Sequence, residues 1–209
     1  MIITLDDMLL VKEALWPDVR FYDKQVDVIE SVVRDLVTVV PAGNELGKDF
    51  IAGFVITATF TICSAMDVQA KIVTSSATRE HLDNLWGEID FFIRTAKVPL
   101  TADKGGRLVY HPLGKEIGRV GESDRDGSLE LETNSYVVAR VVTREHKGEG
   151  LAGHHAPWNL FVADECSGMA DVAYKMAKGW AQRCLFIGNP WPCENFFRRG
   201  VEAGDLVAA

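Results

Sequence analysis

The sequence predicts an α/β domain with a central, mainly parallel sheet flanked by helices. Three observations carry this expectation. Short apolar runs, rich in β-branched residues, alternate with helix-length stretches along the 209-residue chain. The first of these runs, "LVTVV" from Leu36 to Val40, passes into a glycine-containing loop and then into a long apolar stretch of helical length. Near the other end, "NLFVADE" and "RCLFIGNP" are two further apolar runs bracketing a helical stretch near Asp171 to Trp180, and parallel neighbours need such a crossover.

In chain order, the first 35 or so residues form a helical segment ahead of the first strand. "LVTVV" is continuous rather than alternating, as expected of a strand buried on both faces. After the loop, "GKDFIAGFVITATFTI" has the length of a buried helix. "AKIVTSS" reads as a second strand. In "TREHLDNLWGEIDFFIRTA", Leu82, Leu85, Ile89 and Phe92 recur at helical spacing, which predicts an amphipathic helix. From about Lys104 to Val142 the pattern changes. "RLVYHP", "EIGRVG", "LELET" and "YVVARVVT" are short strand-like pieces separated by Gly, Asp and Ser, and they predict an antiparallel insertion or sheet extension. No internal repeat or low-complexity linker interrupts the chain, and one domain over residues 1–209 is expected.

Composition narrows the function. Hydrophobic residues make up 47% and charged residues 25%, an ordinary globular balance. No apolar run reaches the ~20 residues of a membrane span; Ile51 to Cys63 reads as a buried helix. The N-terminus lacks a basic start followed by an apolar stretch, so no export signal is expected. Cys63, Cys166, Cys184 and Cys193 contain no C-x-x-C pair, and reduced buried thiols are expected. His146, His154 and His155 match no zinc spacing and read as polar loop residues. The formal charge of −8 argues against tight gripping of nucleic acid by the whole surface. A nucleotide site escapes that argument, because backbone N–H groups and one lysine suffice.

Three stretches carry chemistry. The first is "VVPAGNELGKDF", Val39 to Phe50. A strand–glycine loop–helix unit aims several N–H groups and a helix N-terminus at one point, which suits a phosphate. Lys48 would then reach the β- and γ-phosphates. The pattern G-x-x-x-x-G-K-[ST] is imperfect: Ala42 stands at the first glycine and Asp49 replaces the hydroxyl. The second stretch, "NLFVADECSG", closes an apolar strand with Asp164 and Glu165, the arrangement in which one carboxylate holds Mg²⁺ and its neighbour polarises the attacking water. In the third, "CLFIGNPW", a strand ends at Gly188–Asn189–Pro190, where a polar side chain can sense the γ-phosphate or simply make a turn. Loop and acidic pair together predict ATP hydrolysis on an α/β P-loop NTPase fold of the ASCE, RecA-like kind, with a β-rich insertion around 104–142.

The order and wording of these motifs resemble the ATPase (motor) domain of the large terminase subunit, the DNA-packaging motor of tailed bacteriophages. The resemblance rests on "PAGNELGKD", "GLAGHHAPWNLFVADECSGMADVAY" and "LFIGNPWPCENFF", and spans roughly Phe21 to Gly200. It implies ATP and Mg²⁺ as cofactors, a phosphate cradle of Gly43, Asn44, Glu45, Leu46 and Gly47 with Ala42 beside it, Lys48 and Glu165 as catalytic groups, Asp164 as metal ligand and Asn189 in the coupling motif. "RFYDKQ" resembles the adenine-recognition segment, with Gln25 on the base edge and Tyr22 or Phe21 packed nearby. "VTSSATREH" resembles the segment that couples nucleotide state to DNA or a neighbouring subunit. The implied partners are double-stranded DNA, the portal protein, the small terminase subunit and other copies in a ring. The implied location is the portal vertex of the assembling procapsid in the host cytoplasm, with no membrane involved.

Three departures from the family pattern matter. Asn44 stands where many terminases carry an arginine, so a trans-acting arginine, worth about 10³–10⁵ in rate, must come from elsewhere; Arg79 and Arg144 are the candidates. No C-terminal nuclease segment follows the coupling motif, and a motor domain alone is expected. Last, a carboxylate at Asp49 about 4 Å from a phosphate charge costs about 4 kcal/mol at an effective dielectric near 20. Either Asp49 contacts the metal or its side chain turns away, and metal contact is the expectation. The rival readings are a helicase-like or other DNA-remodelling ATPase, which would need a second core domain, and a nucleotide-binding structural or regulatory subunit without turnover.

Overall fold

The computed structural model describes residues 2–43, 46–122, 129–142 and 149–203, with the side chains of 120–122, 129–133 and 149 left aside. Two helices, α1 (Leu5–Leu15) and α2 (Asp23–Arg34), precede β1 (Val37–Pro41). Thr4 and Asp7 close α1 with a reciprocal capping box, satisfying two N–H groups that the first turn leaves open. The chain continues through α3 (Lys48–Ala65), β2 (Ala70–Ser76), α4 (Arg79–Thr95), β3 (Leu108–His111), β4 (Glu116–Glu122), β5 (Leu129–Val141), β6 (Trp158–Asp164), α5 (Asp171–Ala177), β7 (Arg183–Gly188) and α6 (Phe196–Ala203).

The seven strands form one mixed sheet in the order β1-β7-β6-β2-β5-β4-β3. From β1 to β5 every neighbouring pair is parallel; β4 and β3 add antiparallel strands at one side. β6 is buried along its whole length, which explains why its sequence runs apolar instead of alternating. Its even-numbered side chains, Leu160 and Val162, join the core formed with α3 and α4, whereas Phe161 and Ala163 face the second core beneath α5 and α6. α3 is long and apolar enough to cross a membrane by length and composition, and most of it is buried between the sheet and α4. Leu82, Leu85, Ile89 and Phe92 are all buried, as their spacing on α4 requires.

The antiparallel extension differs from its expected form. "LELET" and "YVVARVVT" belong to one 13-residue strand, β5, whose second half pairs in parallel with β2. The polar Asn134–Ser135 pair, which reads as a break, continues the strand because β2 satisfies it: the Ala70 N–H donates to Ser135 Oγ at 3.2 Å. The bend appears instead in β4, where the register shifts between Gly118 and Arg119.

Candidate active site at the C-terminal edge of the sheet

Because β1, β7, β6 and β2 run parallel, their C-terminal ends share one edge, where α/β sheets place ligand crevices. The Ala42 N–H leaving β1 donates to Gly188 O at the tip of β7, 3.0 Å away. Gly47 takes a left-handed conformation at φ 70°, and a β-carbon there would lie 2.8 Å from the Gln25 amide nitrogen. That position therefore needs glycine on two counts. It turns the chain so that Lys48 opens α3, and the Tyr22 hydroxyl ties down the loop by donating to Leu46 O at 2.6 Å.

Lys48 is only 8% exposed, and its Nζ donates to Glu165 Oε1 at 2.7 Å across a separation of 117 residues. Asp164 ends β6 at 1% exposure, with its Oδ1 accepting the Glu165 N–H at 2.7 Å. Glu165 is left-handed, at φ 50° and ψ 46°, which costs an L-residue roughly 1–2 kcal/mol and persists where the surroundings fix it. A short 3₁₀ turn, Cys166–Gly168, follows it. Gly188 sits so close to this turn that a β-carbon would come within 2.9 Å of the Cys166 nitrogen.

Gly47, Lys48, Asp164 and Glu165 line a cavity of about 370 Å³ with Asp49, Phe50, His81, Asn84 and Glu88. Four carboxylates thus face one lysine and one histidine. Burial, reinforced by the Asp49 and Glu165 charges, pushes the Asp164 carboxyl up to about 7. Asp49 and Glu88 are likewise raised, in each case chiefly by burial. Burial alone would lower the Lys48 ammonium, but the Glu165 bond and the Asp49, Glu165 and Asp164 charges together hold it above its ordinary value. The site is an anionic hollow with one tightly held cation.

The structure brings Ala42, Gly47, Lys48, Asp49, Asp164 and Glu165 to this edge, with Asn189 following directly after β7. Gly43 leads out of β1, and Leu46 lies under the Tyr22 hydroxyl. Gln25 is buried against Gly47. Arg79 is exposed at the first position of α4. Asn44, Glu45 and Arg144 lie outside the described residues, as does His146. His154 lies in a loop, as expected, but does not face solvent. It is buried against Trp180 and hydrogen-bonded to the Tyr136 hydroxyl at 2.7 Å and Gly150 O at 3.1 Å, and burial lowers its pKa. All four cysteines are free, and Cys193 is the one partly exposed.

Sequence reasoning missed His81, Asn84 and Glu88. They occupy positions i, i+3 and i+7 on α4 and so share a face, yet polar residues at that spacing read as an ordinary solvent-facing side.

Among the described residues, no group of three or more His, Cys, Asp or Glu side chains is arranged to hold a metal ion by itself. Mg²⁺ does not require such a cage; it binds through one or two carboxylates with waters and substrate phosphates. The donor set suits that mode. Asp49 Oδ1 is buried without a protein partner, and so is the hydroxyl of Ser76, the register partner of Asp164 on β2.

The sequence matches no protein-family model and no curated protein. Solved structures do match. The ATPase domain of the Thermus phage P74-26 large terminase aligns with a TM-score of 0.58 at 12% identity, covering 87% of this chain and 69% of that one. The bacteriophage HK97 large terminase gives 0.60 at 15%, covering 98% of this chain and 43% of its own. The large terminase of the thermophilic bacteriophage D6E, in complex with ATP-gamma-S, gives 0.55 at 14%, covering 91% and 44%. The chain therefore spans less than half the length of the HK97 and D6E proteins. It has the α/β P-loop NTPase fold of large-terminase ATPase domains, and the resemblance carried by the motifs holds at the level of the fold.

Proposed function

We propose that the chain is the ATP-hydrolysing motor domain of a phage-type large terminase, driving double-stranded DNA into a procapsid. One observation carries the proposal. Lys48 and Glu165, far apart in sequence, meet at 2.7 Å beside the buried Asp164, at the end of a strand–loop–helix unit. That the D6E protein, which shares this fold, is solved in complex with ATP-gamma-S supports nucleotide binding.

ATP would lie with its phosphates over the loop following β1, against the N-terminus of α3. Lys48 would exchange its hydrogen bond with Glu165 for the β- and γ-phosphates. Glu165, released, would accept a hydrogen bond from a water and take its proton while the water oxygen bonds to the γ-phosphorus. The bond from that phosphorus to the bridging oxygen then breaks, leaving ADP and inorganic phosphate. Asp164 and Asp49 would hold Mg²⁺, which supplies charge neutralisation at the phosphate oxygens. Asn189, after β7 and between the loop and the acidic pair, would report loss of the γ-phosphate to the segment leading into α6. The portal, the small terminase subunit and neighbouring copies in a ring are the partners this reading implies, and Arg79 is the described candidate for reaching a neighbour's site.

The test is steady-state ATP hydrolysis by the wild type and Glu165→Gln, with and without DNA and with Mg²⁺ removed by chelation. Loss of a general base predicts a fall in kcat of about 10²–10⁴-fold with nucleotide binding retained. A wild type as slow as the variant under every condition would support the non-hydrolysing regulatory subunit instead.

A further inference from the structure

The Glu165 backbone is left-handed, and the turn that follows it is held both by its own bonds and from outside. That turn supplies two bonds, Gly168 N–H to Glu165 O at 3.0 Å and Met169 N–H to Cys166 O at 3.2 Å. Further bonds come from a residue 30 positions later, which lies within the stretch "LFIGNPWPCENFF" but has no role assigned to it by the sequence. Asn195 Nδ2 lies 2.6 Å from Cys166 O, 2.8 Å from Met169 O and 3.3 Å from Ser167 O, so one amide gathers three carbonyls of the segment immediately after Glu165. Its other end, Oδ1, accepts the Phe197 N–H at 3.2 Å and caps the first turn of α6. With three acceptors at one end and a donor at the other, the two ends of the amide cannot be interchanged.

A second tie runs beside the first. Asp171 Oδ1, at the start of α5, accepts the Phe196 N–H at 2.7 Å and Arg199 Nη2 at 2.8 Å. Phe196 and Phe197 are themselves buried in the core beneath β6 and β7. The turn carrying Glu165 and the N-terminus of α6 therefore form one hydrogen-bonded unit, and α6 is the helix reached from β7 through Asn189.

We propose that Asn195 is a positioning residue for Glu165: by holding the carbonyls of residues 166, 167 and 169 it fixes the left-handed backbone that aims the carboxylate at Lys48, and it makes that aim depend on where α6 sits. This rests on the hydrolytic reading above. The alternative is that Asn195 serves α6 alone, as a helix cap. The isosteric Asn195→Asp separates the two. Aspartate keeps the acceptor for the Phe197 N–H and is at least as good a cap, but it has no donor for three carbonyls and sets a negative charge against them.

In the full chain, Asn195→Asp and Asn195→Ala are expected to lower kcat for ATP hydrolysis about 10–100-fold while the Kd for a fluorescent ATP analogue moves by less than about threefold. By amide hydrogen exchange, Gly168 and Met169 are expected to exchange at least about tenfold faster, with β1 and α3 unchanged. Wild-type kcat in Asn195→Asp overturns the proposal, and so does faster exchange spread evenly through β1 and α3, which would mean general destabilisation. Should the wild type hydrolyse no ATP, the functional reading falls, and exchange alone decides the positioning role: selective loosening at 166–169 supports it and none refutes it.

Discussion

Among single residues, the buried acids show what the site withholds from stability. Asp164 is nearly inaccessible, with the Asp49 and Glu165 carboxylates as neighbours, so its folded-state carboxyl binds a proton far more tightly than it does in the unfolded chain. A carboxyl raised from 3.8 to about 7 contributes stability that is complete below pH ~4 and lost as pH rises through 7. Asp164→Asn, which has no charge to bury, should therefore melt near the wild type at pH 4 and several degrees above it at pH 8, without nucleotide or metal. About 2–4 °C per kcal/mol is expected for a domain of this size. Melting curves at the two pH values check this, and an equal offset at both would contradict it. How Asp49 resolves its conflict with phosphate was not legible in the sequence. The residue letters show a carboxylate where a hydroxyl belongs; only the packing of α3 against α4 shows its Oδ1 buried and unpartnered beside Asp164 and Glu165.

For the elements, legibility followed the source of each signal. The parallel strands were readable because burial on both faces demands continuous apolar runs, and α4 because its core face repeats at helical spacing. The continuity of β5 was hidden, since Asn134 and Ser135 have turn chemistry that a neighbouring strand satisfies. The polar face of α4 was hidden for the opposite reason, as a pocket wall and a wet helix face have the same composition. The third motif gained meaning from packing: Gly188 ends β7 against the backbone nitrogen of Cys166. Gly188→Ala should push apart the β7 tip and the turn after Glu165. The expected result is a loss of ATPase activity of about tenfold or more, as misplaced catalytic groups give, with β1 and α3 exchange unchanged. ATPase rates as fast as the wild type would show that the turn tolerates the displacement and that the close approach is incidental.

For the molecule as a whole, topology creates the site. β7 is inserted between β1 and β6, so the loop after β1 and the acidic pair approach each other across the tip of the strand that ends in Gly188, just before Asn189. At 12–15% identity to the large terminases aligned above, what is shared is the fold. On the proposed function, the net charge of −8 requires any DNA contact to be local or completed by neighbouring copies. Whether Lys48, Asp164 and Glu165 surround one magnesium-bound triphosphate is decided by a structure of the chain with Mg²⁺ and a non-hydrolysable ATP analogue. In that structure Lys48 Nζ is expected to have moved from Glu165 onto the β- and γ-phosphates, with Asp164 and Asp49 facing the metal side of the triphosphate. A nucleotide bound elsewhere, or an intact Lys48–Glu165 pair beneath a bound triphosphate, would contradict it.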